Sequence, residues 1–143
     1  SSFIKKITIS IDAGDEATYA VTRGGDWNQL IKNLEWISEL RKKGELYTIS
    51  MNFVLRKANY KSIDKLVELA RRLQFDYIEF VEFDNWNDLY DLHLDIAAEF
   101  EDQAIHLASH PEHSELLDIL RPYRNSKDIR INIHGLNFNS GKA

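Results

Sequence analysis

Cysteine is absent from the 143 residues, and that absence excludes a good deal. The chain forms no disulfide, offers no thiol nucleophile and supplies no thiolate to a metal or an iron–sulfur cluster. It fits a reducing, cytoplasmic compartment. Glycine (6) and proline (2) are too scarce for a linker or a low-complexity chain. Basic residues are outnumbered 18 to 23, a formal net charge of −5. Phosphate binding needs clustered Lys and Arg, so nucleic acid is not an expected partner. No apolar run approaches the roughly 20 residues of a membrane span, so no membrane partner is expected, and no secretory signal is visible at the start. What is present is ordinary: 43% hydrophobic and 29% charged residues, enough for one domain or a piece of one over 1–143. The opening Ser1-Ser2-Phe3 carries no methionine and reads as an excised fragment; Asn139 to Ala143 reads as a frayed tail.

Strand and helix patterns alternate. Phe3 to Asp12 is rich in isoleucine and closed by Ala13-Gly14, which predicts a strand. Asp15 to Arg23 holds a short helical turn before Gly24-Gly25. Asp26 with Gln29 has the form of a capping box, and Trp27, Leu30, Ile31, Leu34, Ile37 and Leu40 follow at helical spacing. Arg41, Lys42 and Lys43 suit the negative end of the helix dipole, and Gly44 ends it. Leu46 to Leu55 reads as the second strand. Ser62 is placed to cap a helix whose apolar side is Ile63, Leu66, Val67, Leu69, Ala70 and Leu73. Asp76 to Phe83 is the third strand. A long helix is expected from Asn87 or Asp88 to about Leu107, with Leu89, Leu92, Ile96, Phe100 and Ala104 inward. A short one runs from Pro111 to Pro122, and Asp128 to His134 is the last strand. The order βαβαβααβ predicts an α/β fold with a parallel sheet and right-handed crossovers. Neither a Gly-x-Gly-x-x-Gly turn nor a phosphate loop follows the first strand.

The strands are unusual for a parallel sheet. Strands covered on both faces read as continuous apolar runs, yet these alternate. Ile7, Ile9 and Ile11 alternate with Thr8, Ser10 and Asp12. Tyr47, Ile49, Met51 and Phe53 alternate with Thr48, Ser50 and Asn52. Ile129, Ile131 and Ile133 alternate with Arg130, Asn132 and His134. The third strand sets Ile78 and Phe80 against Tyr77, Glu79 and Val81. Period two sends each set to one face. Helices belong on the apolar face. The polar face is that of a partial TIM-like barrel, a half barrel with a ligand at the C-terminal strand ends, or of a sheet face that is solvated or covered by a partner.

Ile7-Thr8-Ile9-Ser10-Ile11-Asp12-Ala13-Gly14, followed by Asp15-Glu16-Ala17-Thr18-Tyr19, Arg23-Gly24-Gly25 and Asn33-Leu34, resembles a stretch of the radical S-adenosylmethionine enzymes. So does the second strand with Asn59, then Ser62 to Leu73 and Phe75-Asp76-Tyr77-Ile78. The likeness covers about Ile4 to Trp86, leaving 87–143 as a C-terminal extension. It implies the fourth to sixth strands of a six-stranded partial barrel. The family's Cys-x-x-x-Cys-x-x-Cys and Gly-Gly-Glu motifs lie earlier and are not here. The resemblance therefore implies the second half of a catalytic domain, inactive alone, with the 4Fe-4S cluster only in a longer parent chain and S-adenosylmethionine as cofactor. Ser10 and Asp12 match the strand end that meets the cofactor ribose, and Arg23 matches the arginine that pairs with the methionine carboxylate. Ser50 and Asn52 would line the barrel between cofactor and substrate, and Glu79, Glu82 and Trp86 would face a small-molecule or peptide substrate.

Other readings stay open. A half barrel standing alone would act as a binding module and dimerise through its exposed sheet edge or face. A piece of an unrelated (β/α) barrel isomerase or aldolase would need a phosphate loop that is not found. His106, His110 and His113 resemble a metal cluster, but Pro111 breaks the helix that would align them, and a solvated loop is expected. His134, at a strand end, is a further substrate-side candidate. Glu79, Glu82 and Asp84 form an acid run suited to acid–base work, to a cationic group or to solvent.

Overall fold

The computed structural model describes residues 4–83 and 96–138, with backbone alone for 96–98. The chain runs β1 (Ile4–Ser10), α1 (Glu16–Thr22), α2 (Trp27–Lys42), β2 (Leu46–Val54), a 3₁₀ turn (Tyr60–Ser62), α3 (Ile63–Arg72) and β3 (Tyr77–Val81). Then follow α4 (Ile96–Gln103), α5 (His113–Leu120), a second 3₁₀ turn (Arg121–Tyr123) and β4 (Arg130–Ile133). The four strands form one all-parallel sheet in the order β1-β2-β3-β4. The fold is α/β, and its sequential strand order is the connectivity of a half barrel. Crossovers of one hand that always step in the same direction deliver their helices to the same face.

Burial follows that rule. Paired residues in neighbouring parallel strands point the same way, so Ile9, Met51, Ile78 and Ile131 make one row and Phe53, Phe80 and Ile133 the next. Ile49, Met51, Phe53, Ile78 and Phe80 are fully buried under the helices, with Leu66, Val67 and Ala70 of α3. Each large side chain so buried contributes about 1.5–3 kcal/mol. Phe53 and Phe80 meet edge to face, centroids 5.4 Å apart. Tyr47, expected with the apolar set, lies at the start of β2, where it is 73% exposed.

Polar side chains lock the frame. Arg41 grips Asp76 through two nitrogens (2.6 and 2.7 Å), and Asp76 also accepts from the Ile49 N–H (2.8 Å). This fastens the end of α2 to β2 and to the turn before β3. Buried Ser38 donates to the Leu73 carbonyl (2.9 Å). The Asp26 cap is half a capping box. Its carboxylate accepts from the Gln29 N–H (3.1 Å), but the Gln29 amide turns to Asn33 (2.9 Å) rather than back to the cap. Ser62 makes no capping bond. Its hydroxyl donates to the Asn59 carbonyl and accepts from the Gly14 N–H, two nearer claims on a single oxygen.

The long helix expected to reach Leu107 ends at Gln103. The Gln103 carbonyl and amide oxygen accept instead from the N–H groups of Lys57 and Ala58 (3.1 and 3.0 Å), stopping the helix against the loop after β2. The histidine connection is not a solvated loop. His113 is buried, its Nδ1 bonded to the Ile105 carbonyl (2.9 Å). His110 Nδ1 accepts from the Glu112 N–H (3.0 Å), so Nε2 carries the proton and donates to the Asp102 carbonyl (2.7 Å).

Two phenols are held in their neutral form. Tyr60 is buried with its hydroxyl against Glu115 (2.7 Å) and Glu112 (2.8 Å); burial and then the two carboxylates push its ionisation up. Burial and the Asp64 carboxylate raise Tyr123 to about 12. A phenol that ionises later when folded stabilises the fold below pH ~10, its unfolded value, and loses that contribution as pH climbs through the folded value. Unfolding by urea is therefore expected to become easier between pH 10 and about 12. Tyr123→Phe should flatten that slope; an unchanged slope in both Tyr60→Phe and Tyr123→Phe would sink the assignment.

Candidate functional site on the bare sheet face

The face opposite the helices is polar and organised by register. Thr8, Ser50, Tyr77 and Arg130 are aligned across the four strands, and Ser10, Asn52, Glu79 and Asn132 form the next row toward the C-terminal ends. Three strand spacings make each row roughly 14 Å long.

The two rows differ in one respect. The first is internally paired. Thr8 and Ser50 share a hydrogen bond (2.9 Å), and Ser50 is 1% exposed. Arg130 donates to the Tyr77 hydroxyl (3.1 Å), and the cations of Arg130 and Lys6 lie 5.5 and 5.8 Å from the Tyr77 ring centre. In the second row, Ser10, Asn52, Glu79 and Asn132 make no side-chain hydrogen bond or ion pair with any described residue. Asn52, Glu79 and Asn132 are nevertheless half-buried. Their side-chain oxygens and nitrogens are not sealed off from solvent, so the row is accessible as well as unpaired among the described residues.

Asp12 and Arg23 stand at the rim, and the structure brings them to each other. Asp12 has φ +56°, a left-handed backbone at the exit of β1. Its carboxylate accepts from the Val54 N–H (2.8 Å) and from the Arg23 guanidinium (2.8 Å). Asn59, 1% exposed, donates to the Asp12 and Val54 carbonyls (3.1 and 2.7 Å) and accepts from the Arg56 N–H (2.9 Å). Both Asp12 oxygens are thus engaged, while Arg23, 40% exposed along its side chain, keeps further N–H groups free to donate.

Of the remaining candidates, Glu82 lies just past β3, folded over Gly135. A Cβ on Gly135 would meet only the end of the flexible Glu82 side chain, which can swing aside; it is the left-handed backbone (φ +75°) that favours glycine there. His134 extends the β4 ladder by donating its N–H to the Phe80 carbonyl (3.2 Å), and alternation sends its exposed ring to the bare face. Trp86 lies outside the described residues. Asn132 was not singled out by sequence; its signal is the same period-two set as Arg130 and His134, but only register shows that it neighbours Glu79.

Comparison with family models, with curated proteins and with solved structures finds no match to this chain. The site therefore rests on its own geometry.

That geometry favours the sheet face over the helical side. A groove of about 610 Å³ opens between α2 and α3 beside Gly14, Trp27 and Ile31. Its cations are already matched: Lys65 pairs with Asp15 (3.3 Å) and Arg72 with Glu35 (3.5 Å). Among the described residues no group of three or more His, Asp or Glu side chains is placed to hold a metal, and no helix is long and apolar enough to cross a membrane.

Proposed function

We propose that the chain is the second half of a radical S-adenosylmethionine barrel and that its bare sheet face is the wall against which cofactor and substrate rest. The observation that carries this reading is the row Ser10–Asn52–Glu79–Asn132, unpartnered among the described residues, on a sheet whose described helices lie on the other side. The interior of a closed TIM barrel is packed with bulky branched side chains. A face of serine, asparagine and glutamate suits a ligand-filled partial barrel instead. The sequence resemblance points to the same strand ends.

The residues fit the cofactor in part. Ser10 and Asn52 offer a hydroxyl and an amide to a ribose diol, and Arg23 offers a guanidinium to a carboxylate. Asp12 orients Arg23 through one oxygen, and its carboxylate keeps lone pairs for the ribose. The four-iron cluster does not fit, since the chain has no cysteine. The reductive chemistry belongs to a longer parent or a partner, and this chain binds and orients.

In the test, the ¹⁵N-labelled chain is titrated with S-adenosylmethionine and its amide shifts are followed. Movement is expected at Ser10 to Asp12, at Asn52 to Val54 and at the Arg23 side chain, weakened severalfold in Arg23→Ala. Shifts confined to the α2–α3 groove, or none at millimolar ligand, would end the reading. A second reading, a stand-alone half barrel paired with its own copy, draws on the outer edge of β1, unpaired among the described strands, and on Trp36, 62% exposed on α2. A monomer by sedimentation at the same concentration rules it out.

A further inference from the structure

We propose that the bare face holds its substrate by a primary ammonium group seated on Glu79. This deepens the reading of that face as a ligand wall and rests on it. Glu79 is the one charged side chain in the unpartnered row. It is half-buried and lies within ion-pairing distance of no described cation. Three described basic side chains share the face and none pairs with Glu79; His134, past the end of β4, is exposed. Arg130 is stacked on Tyr77 and bonded to its hydroxyl, and Lys6 lies over the same ring. The face therefore keeps an uncompensated carboxylate at its centre, flanked in register by Asn52 on β2 and Asn132 on β4.

That flanking selects the cation. An ammonium has three N–H donors and no acceptor. One carboxylate and two carboxamide oxygens, on three adjacent strands roughly 4.8 Å apart, set three acceptors side by side in one row. A negatively charged ligand group would face the Glu79 carboxylate directly, and a neutral hydroxyl would leave its charge unmatched. Ser10, at the end of the row, is left for a hydroxyl or amide further along the ligand.

Three four-carbon probes separate charge from shape: 1,4-diaminobutane, 1,4-butanediol and succinate. Each is titrated into the ¹⁵N-labelled full chain at physiological salt. The diamine is expected to move the amides of Met51 to Phe53, Ile78 to Phe80 and Ile131 to Ile133, while the diol and succinate leave them in place. Glu79→Gln, isosteric and on the open face, should weaken the diamine about tenfold, and Asn132→Ala severalfold. Glu101→Gln on exposed α4 should change nothing. Diamine shifts that persist in Glu79→Gln, or succinate bound at the same amides, would overturn the proposal. S-adenosylmethionine titrated into the same sample separates the two readings. Diamine shifts without cofactor shifts remove the radical enzyme and keep the amine site; the reverse removes the amine site alone.

Discussion

Gly14→Ala is expected to cost about 3 kcal/mol, lowering the melting temperature by roughly 10 °C. The reason is not backbone freedom but contact. A Cβ at Gly14 would lie 2.0 Å from the Ser62 carbonyl oxygen and 2.6 Å from the Leu66 nitrogen. Both are backbone atoms at the head of α3, and neither can swing aside. Relief requires that α3 move off the exit of β1, which breaks the bond from the Gly14 N–H to the Ser62 hydroxyl (2.9 Å). Alanine also gains helix and strand propensity over glycine, but those gains are about 1 kcal/mol at most. A melting temperature within a degree or two of the parent would show that the β1 exit and α3 are not in contact as described.

Asn59→Ala is expected to be comparably severe, about 4 kcal/mol, because one buried side chain serves three backbone groups. Its loss strands the Asp12 and Val54 carbonyls and the Arg56 N–H in a site from which water is nearly excluded. Asn59→Asp separates this from simple cavity formation. It keeps the volume and the acceptor for Arg56 but turns a negative oxygen toward two carbonyls, so it should destabilise more than alanine does. Urea unfolding of the two variants decides: aspartate equal to or better than alanine would mean that the amide donors do not matter.

How far the sequence discloses the molecule can be traced through single residues. The period-two pattern of Ile7, Ile9, Thr8 and Ser10, and its counterparts in the later strands, is legible because alternation is a local property of extended chain. The same is true of the Asp26 cap and of Gly44 after α2. Register is not local. That Asn132 stands beside Glu79 depends on contacts more than 50 residues apart, and no spacing rule supplies it. Pairing inside the protein is equally hidden. Ser50, Asp12 and Arg23 read as ligand contacts, and nothing in their spacing tells that Ser50 also pairs with Thr8 and Asp12 with Arg23 and Val54. His113 looked like part of an exposed cluster because its neighbours are polar. The Ile105 carbonyl that it reaches comes close only after α4 has stopped against the loop following β2.

The sequential strand order also has a meaning for synthesis. Each later strand pairs with the strand made just before it, so the β1–β2 ladder closes within residues 4–54 and β3 and β4 add in turn. The domain can grow in the direction in which a ribosome releases it, N-terminal part first. No strand waits for a later one to be slotted between itself and its neighbour. The exposed edge moves outward with the chain to β4, which at four residues long offers little edge.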